Sequence, residues 1–142
     1  MAAPIALAGC GGKKAAQRCR ADQMYTGNYA RACWDAARAL CPDRAFWISA
    51  KHGLLRPADE IDPYDLPMRR DHPTVTAATV IAQAGELGVL DAPVIVLAGR
   101  EYANLAYQVW AEVEHPLEGL FIGQQLHELA GMAARGRLPE PF

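Results

Sequence analysis

The sequence predicts one α/β domain over residues 1–142: a single three-layer α/β/α unit around a mostly parallel, Rossmann-like sheet. Three observations predict it. The apolar runs 4–9 (PIALAG), 44–49 (RAFWIS) and 93–99 (PVIVLAG) lack period-2 alternation, so each reads as a strand buried on both faces. Segments of helical spacing separate and follow these runs, the order of a sheet with right-handed crossovers. The chain has 142 residues, 51% of them hydrophobic and 21% charged, which fits one ordinary core.

The elements follow in order. Strand one ends at Gly9, and residues 10–27 are expected to be loop. Residues 28–40 read as a helix. Tyr29, Ala32, Cys33, Ala36, Ala37 and Leu40 recur at helical spacing, and Asn28 is the expected N-cap. After the second strand, residues 50–73 are expected as a long irregular loop punctuated by Pro57, Pro63, Pro67 and Pro73. Loops of that length in compact domains are functional or mobile. A helix over 74–88 enters after Pro73 and ends at Gly88. The third strand leads into an amphipathic helix over 100–113, with Tyr102, Leu105, Ala106, Val109, Trp110 and Val113 on one face. A last helix starts near Gly123, and the tail RLPEPF is expected to be loose. His72 and His115 precede prolines and read as loop residues.

Composition narrows the function. The apolar runs fall far short of the roughly 20 residues that span a bilayer, and no basic segment precedes AAPIALAGCGG. The expectation is a cytoplasmic protein with no membrane partner. Cys10, Cys19, Cys33 and Cys41 show no CxxC spacing, so no metal site, cofactor or disulfide framework is expected. The net charge of −2 disfavours a protein that coats nucleic acid. Residues 9–31 are locally basic (Lys13, Lys14, Arg18, Arg20 and Arg31 against Asp22). Residues 51–65 are acidic (Asp59, Glu60, Asp62 and Asp65 against Lys51 and Arg56). That pairing suits a small anionic ligand, a nucleotide or nucleobase, better than a long polyanion; DNA or RNA stays open as a partner.

All three strands end in polar or glycine-rich turns, where open α/β sheets bind ligands. In GCGGKK, Gly9, Gly11 and Gly12 permit positive φ and expose amides to an anion, with Lys13 or Lys14 adding charge. A simple tight turn is the competing reading. Cys10 beside two lysines is expected to have a lowered pKa and nucleophilic character, against the alternative of a small residue packed under the turn. SAKHG places Ser49, Lys51 and His52 at the end of strand two. His52 is a candidate acid or base. Lys51 is a candidate phosphate ligand, or a partner of Asp62 or Asp65 that pins the loop. Tyr64 and Asp65, boxed by Pro63 and Pro67, suit substrate orientation or loop anchoring. Arg100 and Glu101 open a helix whose first amides attract anions.

Four blocks taken together resemble the YaaA-like superfamily, most closely a branch of small domains found in actinobacteria and their phages. They are GCGGKK with YTG (25–27), SAKHGLLRPADEIDPYDLPM, VIVLAGREY, and PLEGLFIGQQLHEL. YTG, GLLRP and PY are shared with the larger peroxide-stress members, which are associated with iron limitation and DNA binding. A more distant likeness is to archaeosine synthase, whose motif runs Pro-Cys, three residues, then Lys-Pro-Tyr. Cys10 and Lys14 match that spacing, while Ala15 and Ala16 stand where the motif has Pro-Tyr, and Tyr25 is a candidate source of the hydroxyl. The resemblance implies the fold, a pocket shared by the strand-end loops, and Cys10 as a nucleophile toward a base.

Two functions of different class follow. The first is an enzyme acting on a nucleotide or nucleobase, as a base- or glycosidic-bond-directed transferase or hydrolase. Cys10, Lys51, His52 and Asp65 would be its catalytic residues, and Gly11, Gly12, Lys14, Tyr25, Ser49, Tyr64, Arg100 and Glu101 its ligand contacts. The second is a nucleotide- or DNA-binding module without turnover, linked to stress or to phage. A pure protein-interaction domain would leave CGGKK and SAKHG without a reason to be polar.

Overall fold

The computed structural model of the chain describes residues 2–68 and 74–139. The readings of His72 and Pro73, and of tail residues 140–142, fall outside the described residues. In chain order the elements are β1 (Ile5–Gly9), β2 (Cys19–Arg20), α1 (Ala21–Met24), α2 (Asn28–Leu40), β3 (Ala45–Ser49) and β4 (Gly53–Leu55). They continue with β5 (Glu60–Ile61), α3 (Ala77–Glu86), β6 (Val94–Leu97), α4 (Arg100–Val109), β7 (Val113–Glu114) and α5 (Ile122–Arg135).

The main sheet has the order β4-β3-β1-β6-β7. β1 pairs in parallel with β3 and β6, and β7 pairs in parallel with β6. β4 alone runs antiparallel, folding back on β3. Every residue of β1, β3 and β6 is buried. Successive side chains of a strand point to opposite faces, and both faces are covered. Ala6, Ala8, Ala45 and Trp47 meet α2 and α5 through Cys33, Trp34, Leu129 and Met132. Ile5, Leu7, Phe46 and Ile48 meet α3 and α4 through Val80, Ala84, Leu105 and Ala106. This is the predicted three-layer α/β fold.

The differences are local. Residues 10–27 are not all loop: they hold β2 and α1, and Lys14 bridges Tyr25. Residues 50–68 carry β4 and β5, the latter pairing with β2. Gly27, not Asn28, caps α2. α3 begins at Ala77, with Thr76 Oγ1 accepting the Thr79 amide (3.3 Å). α4 stops at Val109 because the Trp110 indole turns inward to donate to Val89 O (3.1 Å), which frees Val113 to join the sheet.

Gly53 opens β4 at φ +71°, a conformation side chains resist. A Cβ there would also collide with Oε1 of Gln83. Gln83 is a clamp: its Oε1 accepts the Leu54 amide (2.9 Å) and its Nε2 donates to His52 O (2.7 Å). Gly53→Ala should therefore lower the unfolding free energy by about 1–3 kcal/mol. Urea denaturation reads this, and a variant as stable as the wild type would refute it.

Candidate active site

The turn after β1 is set by packing. A Cβ on Gly9 would lie 2.6 Å from the Ala98 Cβ, so only glycine lets the ends of β1 and β6 approach this closely. The expected positive φ does not occur at Gly9, Gly11 or Gly12; among the described residues it is found at Gly53, Gly88, Gly119 and Gly136. The Cys10 amide continues the sheet by donating to Ile48 O (3.2 Å). Beyond it the chain doubles back, with Ala15 N bonded to Met24 O (2.8 Å) and Thr26 N to Lys13 O (3.1 Å). That hairpin-like return carries Tyr25 under Cys10. The loop after β5 brings Tyr64 to meet both.

Ser49, fully buried at the end of β3, fixes the direction of the hydrogen bonds that follow. Its Oγ accepts the amides of Lys51 (3.2 Å) and His52 (3.1 Å). A hydroxyl has two lone pairs and one proton, so both acceptor sites are filled. The Ser49 proton must therefore go to the Tyr64 hydroxyl, 2.6 Å away. Tyr64 in turn has one proton for Tyr25, at 2.7 Å, or for the sulfur of Cys10. If it donates to Tyr25, the Tyr25 proton goes to the sulfur, which it also hydrogen-bonds. Either way a phenolic O–H points at Cys10.

The expected low pKa of Cys10 is overturned. Burial pushes the thiol up to about 12, and the hydrogen bonds of Tyr25 and Tyr64 and the charge of Lys14 offset this only in part. Sequence proximity to lysine misled because Lys13 is exposed and the charge of Lys14 is outweighed by the burial of the sulfur. Lys14 Nζ donates to Gly11 O (3.1 Å) and Gly12 O (3.3 Å) and lies 4.5 Å from the Tyr64 ring centroid. Burial also raises the phenols of Tyr25, Tyr64 and Tyr102. His52 moves the other way: burial and the neighbouring Lys51 charge lower its pKa, so it is neutral at pH 7.

One cleft of about 290 Å³ lies over the carboxyl ends of β1 and β6. Cys10, Gly11, Gly12 and Lys14 line one side; Tyr64 and Asp65, then Arg100 and Glu101, line the others. The remaining four candidates stand behind it. Tyr25 and Ser49 are fully buried under the sulfur. The His52 ring packs edge-on against Tyr64 (5.2 Å, 88°), with Nε2 buried and unpartnered among the described residues. Lys51 Nζ lies 5.5 Å from the Tyr64 ring centroid. It forms no salt bridge to Asp62 or Asp65; Asp62 pairs instead with Arg18 (3.1 Å). Lys51 and His52 thus reach the cleft only through Tyr64.

Sequence reasoning missed Tyr102 and Met68, which also line the cleft. Tyr102 reads as part of the apolar face of a helix, yet its hydroxyl hydrogen-bonds the Ala50 backbone beside the site. The expected basic segment is largely spent on its neighbours: Arg20 pairs with Asp22 (3.1 Å), and Arg31 donates to Asp22 O (2.7 Å). The cations left at the cleft are Lys14 and Arg100. Among the described residues, no three His, Cys, Asp or Glu side chains are grouped to hold a metal ion, and no helix is long and apolar enough to cross a membrane.

Fold and site together define the class: a three-layer α/β domain with a cysteine–tyrosine cleft at the carboxyl ends of its central strands. A family of unknown function, DUF6884, matches residues 5–131, and the chain belongs to that family. No curated protein matches it.

Proposed function

We propose that the protein is a cytoplasmic enzyme acting on a nucleotide or nucleobase, as a base- or glycosidic-bond-directed transferase or hydrolase. One observation carries the reading: a sulfur supplied with phenolic donors shares a single cleft with Lys14, Arg100 and the first turn of α4. No side chain caps that turn, so its amides are open to an anion. A phosphate would sit there, with Lys14 and Arg100 as its counter-charges. The base would then lie over Cys10. Attack on an unsaturated carbon of the base forms a C–S bond and opens one C=N π bond; the electron pair moves to that nitrogen, which takes the proton lost from the thiol by way of the Asp65 carboxylate. The Tyr25 and Tyr64 hydroxyls hold the sulfur whenever it carries charge. Lys51 and His52 position Tyr64.

Kinship with the YaaA-like superfamily is part of the same proposal, since three of the four resembling blocks contribute residues to this cleft. The protonated resting thiol favours a second reading, a nucleotide binder without turnover.

Calorimetry with a nucleoside monophosphate, and intact-mass analysis after incubation with it, test both. Lys14→Met should weaken binding about tenfold or more through the lost charge-assisted contact. Cys10→Ser should still bind but lose any covalent adduct or turnover. Binding without adduct or turnover in the wild type selects the second reading. No nucleotide binding at all, or both variants matching the wild type at equal melting temperature, rejects both.

A further inference from the structure

A second cavity, of about 550 Å³, opens on the other side of the α4 N-terminus. It shares Gly99 and Arg100 with the cysteine cleft, so the two are compartments of one groove. Its far wall comes from His115 and from residues 117–121 of the block PLEGLFIGQQLHEL, which contributes nothing to the first compartment.

That wall is held firmly. His115 Nε2 hydrogen-bonds Ala98 O (2.9 Å), and Leu117 is buried beneath it. Gln125 donates to Leu120 O (2.9 Å) and accepts from the Tyr29 hydroxyl on α2 (2.5 Å). Yet this well-tied segment presents Phe121 at 81% exposure, and Tyr107 of α4, on the same cavity, is 50% exposed. Two aromatic rings at an open cavity, with a guanidinium between them and the cleft, form a platform for a stacked base next to a phosphate.

We infer that the groove takes two nucleobases joined through a phosphate. The first base occupies the Cys10 compartment, the linking phosphate lies at Arg100, and the second base stacks against Phe121 and Tyr107. This rests on the nucleotide reading above and adds to it the size and shape of the ligand. The cations of the groove are few: Lys14 and Arg100, against Asp65, Glu101 and Glu118. That limits the footprint to about two nucleotides and predicts a shallow salt dependence, a log–log slope of roughly −1.

The test is calorimetric titration of the full chain and of Phe121→Ala. The probes are a nucleoside monophosphate, a dinucleotide with a 3′,5′-phosphodiester link, and one with a pyrophosphate link. At least one dinucleotide should bind about tenfold more tightly than the mononucleotide, the scale of one base–aromatic stack. Which one gains identifies the linker. The gain should vanish in Phe121→Ala, whose exposed ring can be lost without unfolding the chain, as a melting curve verifies. Dinucleotides no tighter than the mononucleotide, or a gain that survives both Phe121→Ala and Tyr107→Ala, overturn this inference alone. If none of the three binds, the nucleotide reading falls with it.

Discussion

Raising the pH from 8 to 10 should remove roughly 2–3 kcal/mol of unfolding free energy, carried by two thiols. Burial lifts both Cys10 and Cys33 from 9.0 to about 12. In the unfolded chain each ionises near its ordinary value. Across this interval the unfolded state has released protons that the folded state still holds, so stability falls as pH rises. The thiol window runs from about 9 to about 12, and Cys10, which is only half-buried as a residue, contributes less than Cys33. The Cys41 thiol, also raised by burial, and from about pH 9 the raised phenols of Tyr25, Tyr29, Tyr64 and Tyr102 add to the loss with the same sign. Urea titrations at pH 8, 9 and 10 measure the slope. The double variant Cys10→Ala, Cys33→Ala should be less stable at pH 8 and should lose distinctly less than the wild type between 8 and 10, the remaining loss coming from Cys41 and the phenols. A wild type equally stable at both ends would show that neither thiol is held protonated by the fold.

Trp47→Ala should cost about 3–5 kcal/mol. The residue is fully buried in the middle of β3, beside Ala8 of β1. Its ring stacks on Trp34 of α2 (4.7 Å, 11°) and leans on Tyr25 (4.7 Å, 46°). Truncation removes transfer free energy and leaves a void between sheet and helix that a close-packed core cannot refill. It also removes the support of the Tyr25 ring, so Cys10 should become easier to alkylate. Trp47→Phe is the informative partner. The indole Nε1 is buried without a hydrogen-bond partner among the described residues, so phenylalanine gives up an unsatisfied donor along with some area. Its cost should be well under half that of alanine. Equal losses for the two variants would mean that ring packing is not what Trp47 contributes.

What could be read in advance depended on how far each feature extends along the chain. The three long strands were legible because an uninterrupted apolar run has few ways to fold other than burial on both faces. β2, β5 and β7 were not, because two residues carry no period. Val113 continued the helical spacing of Val109 and Trp110, and only the inward turn of the indole, a tertiary event, ended the helix. The site divided the same way. Strand-end position brought Cys10, Lys14, Tyr64, Asp65 and Arg100 to one cleft. The sequence could not show that Tyr64 stands between His52 and that cleft, nor that Lys14 spends its ammonium on its own turn. The direction of the Ser49–Tyr64 bond depends on two amides whose orientation exists only in the folded chain.

The two margins of the main sheet carry their own consequence. β4 offers three residues and β7 two. A neighbouring molecule trying to extend the sheet would find only a few free amides and carbonyls on either flank, too few to recruit a foreign strand. Fibril growth and edge-to-edge clumping are suppressed by brevity alone, and concentrated solutions of the protein should remain clear.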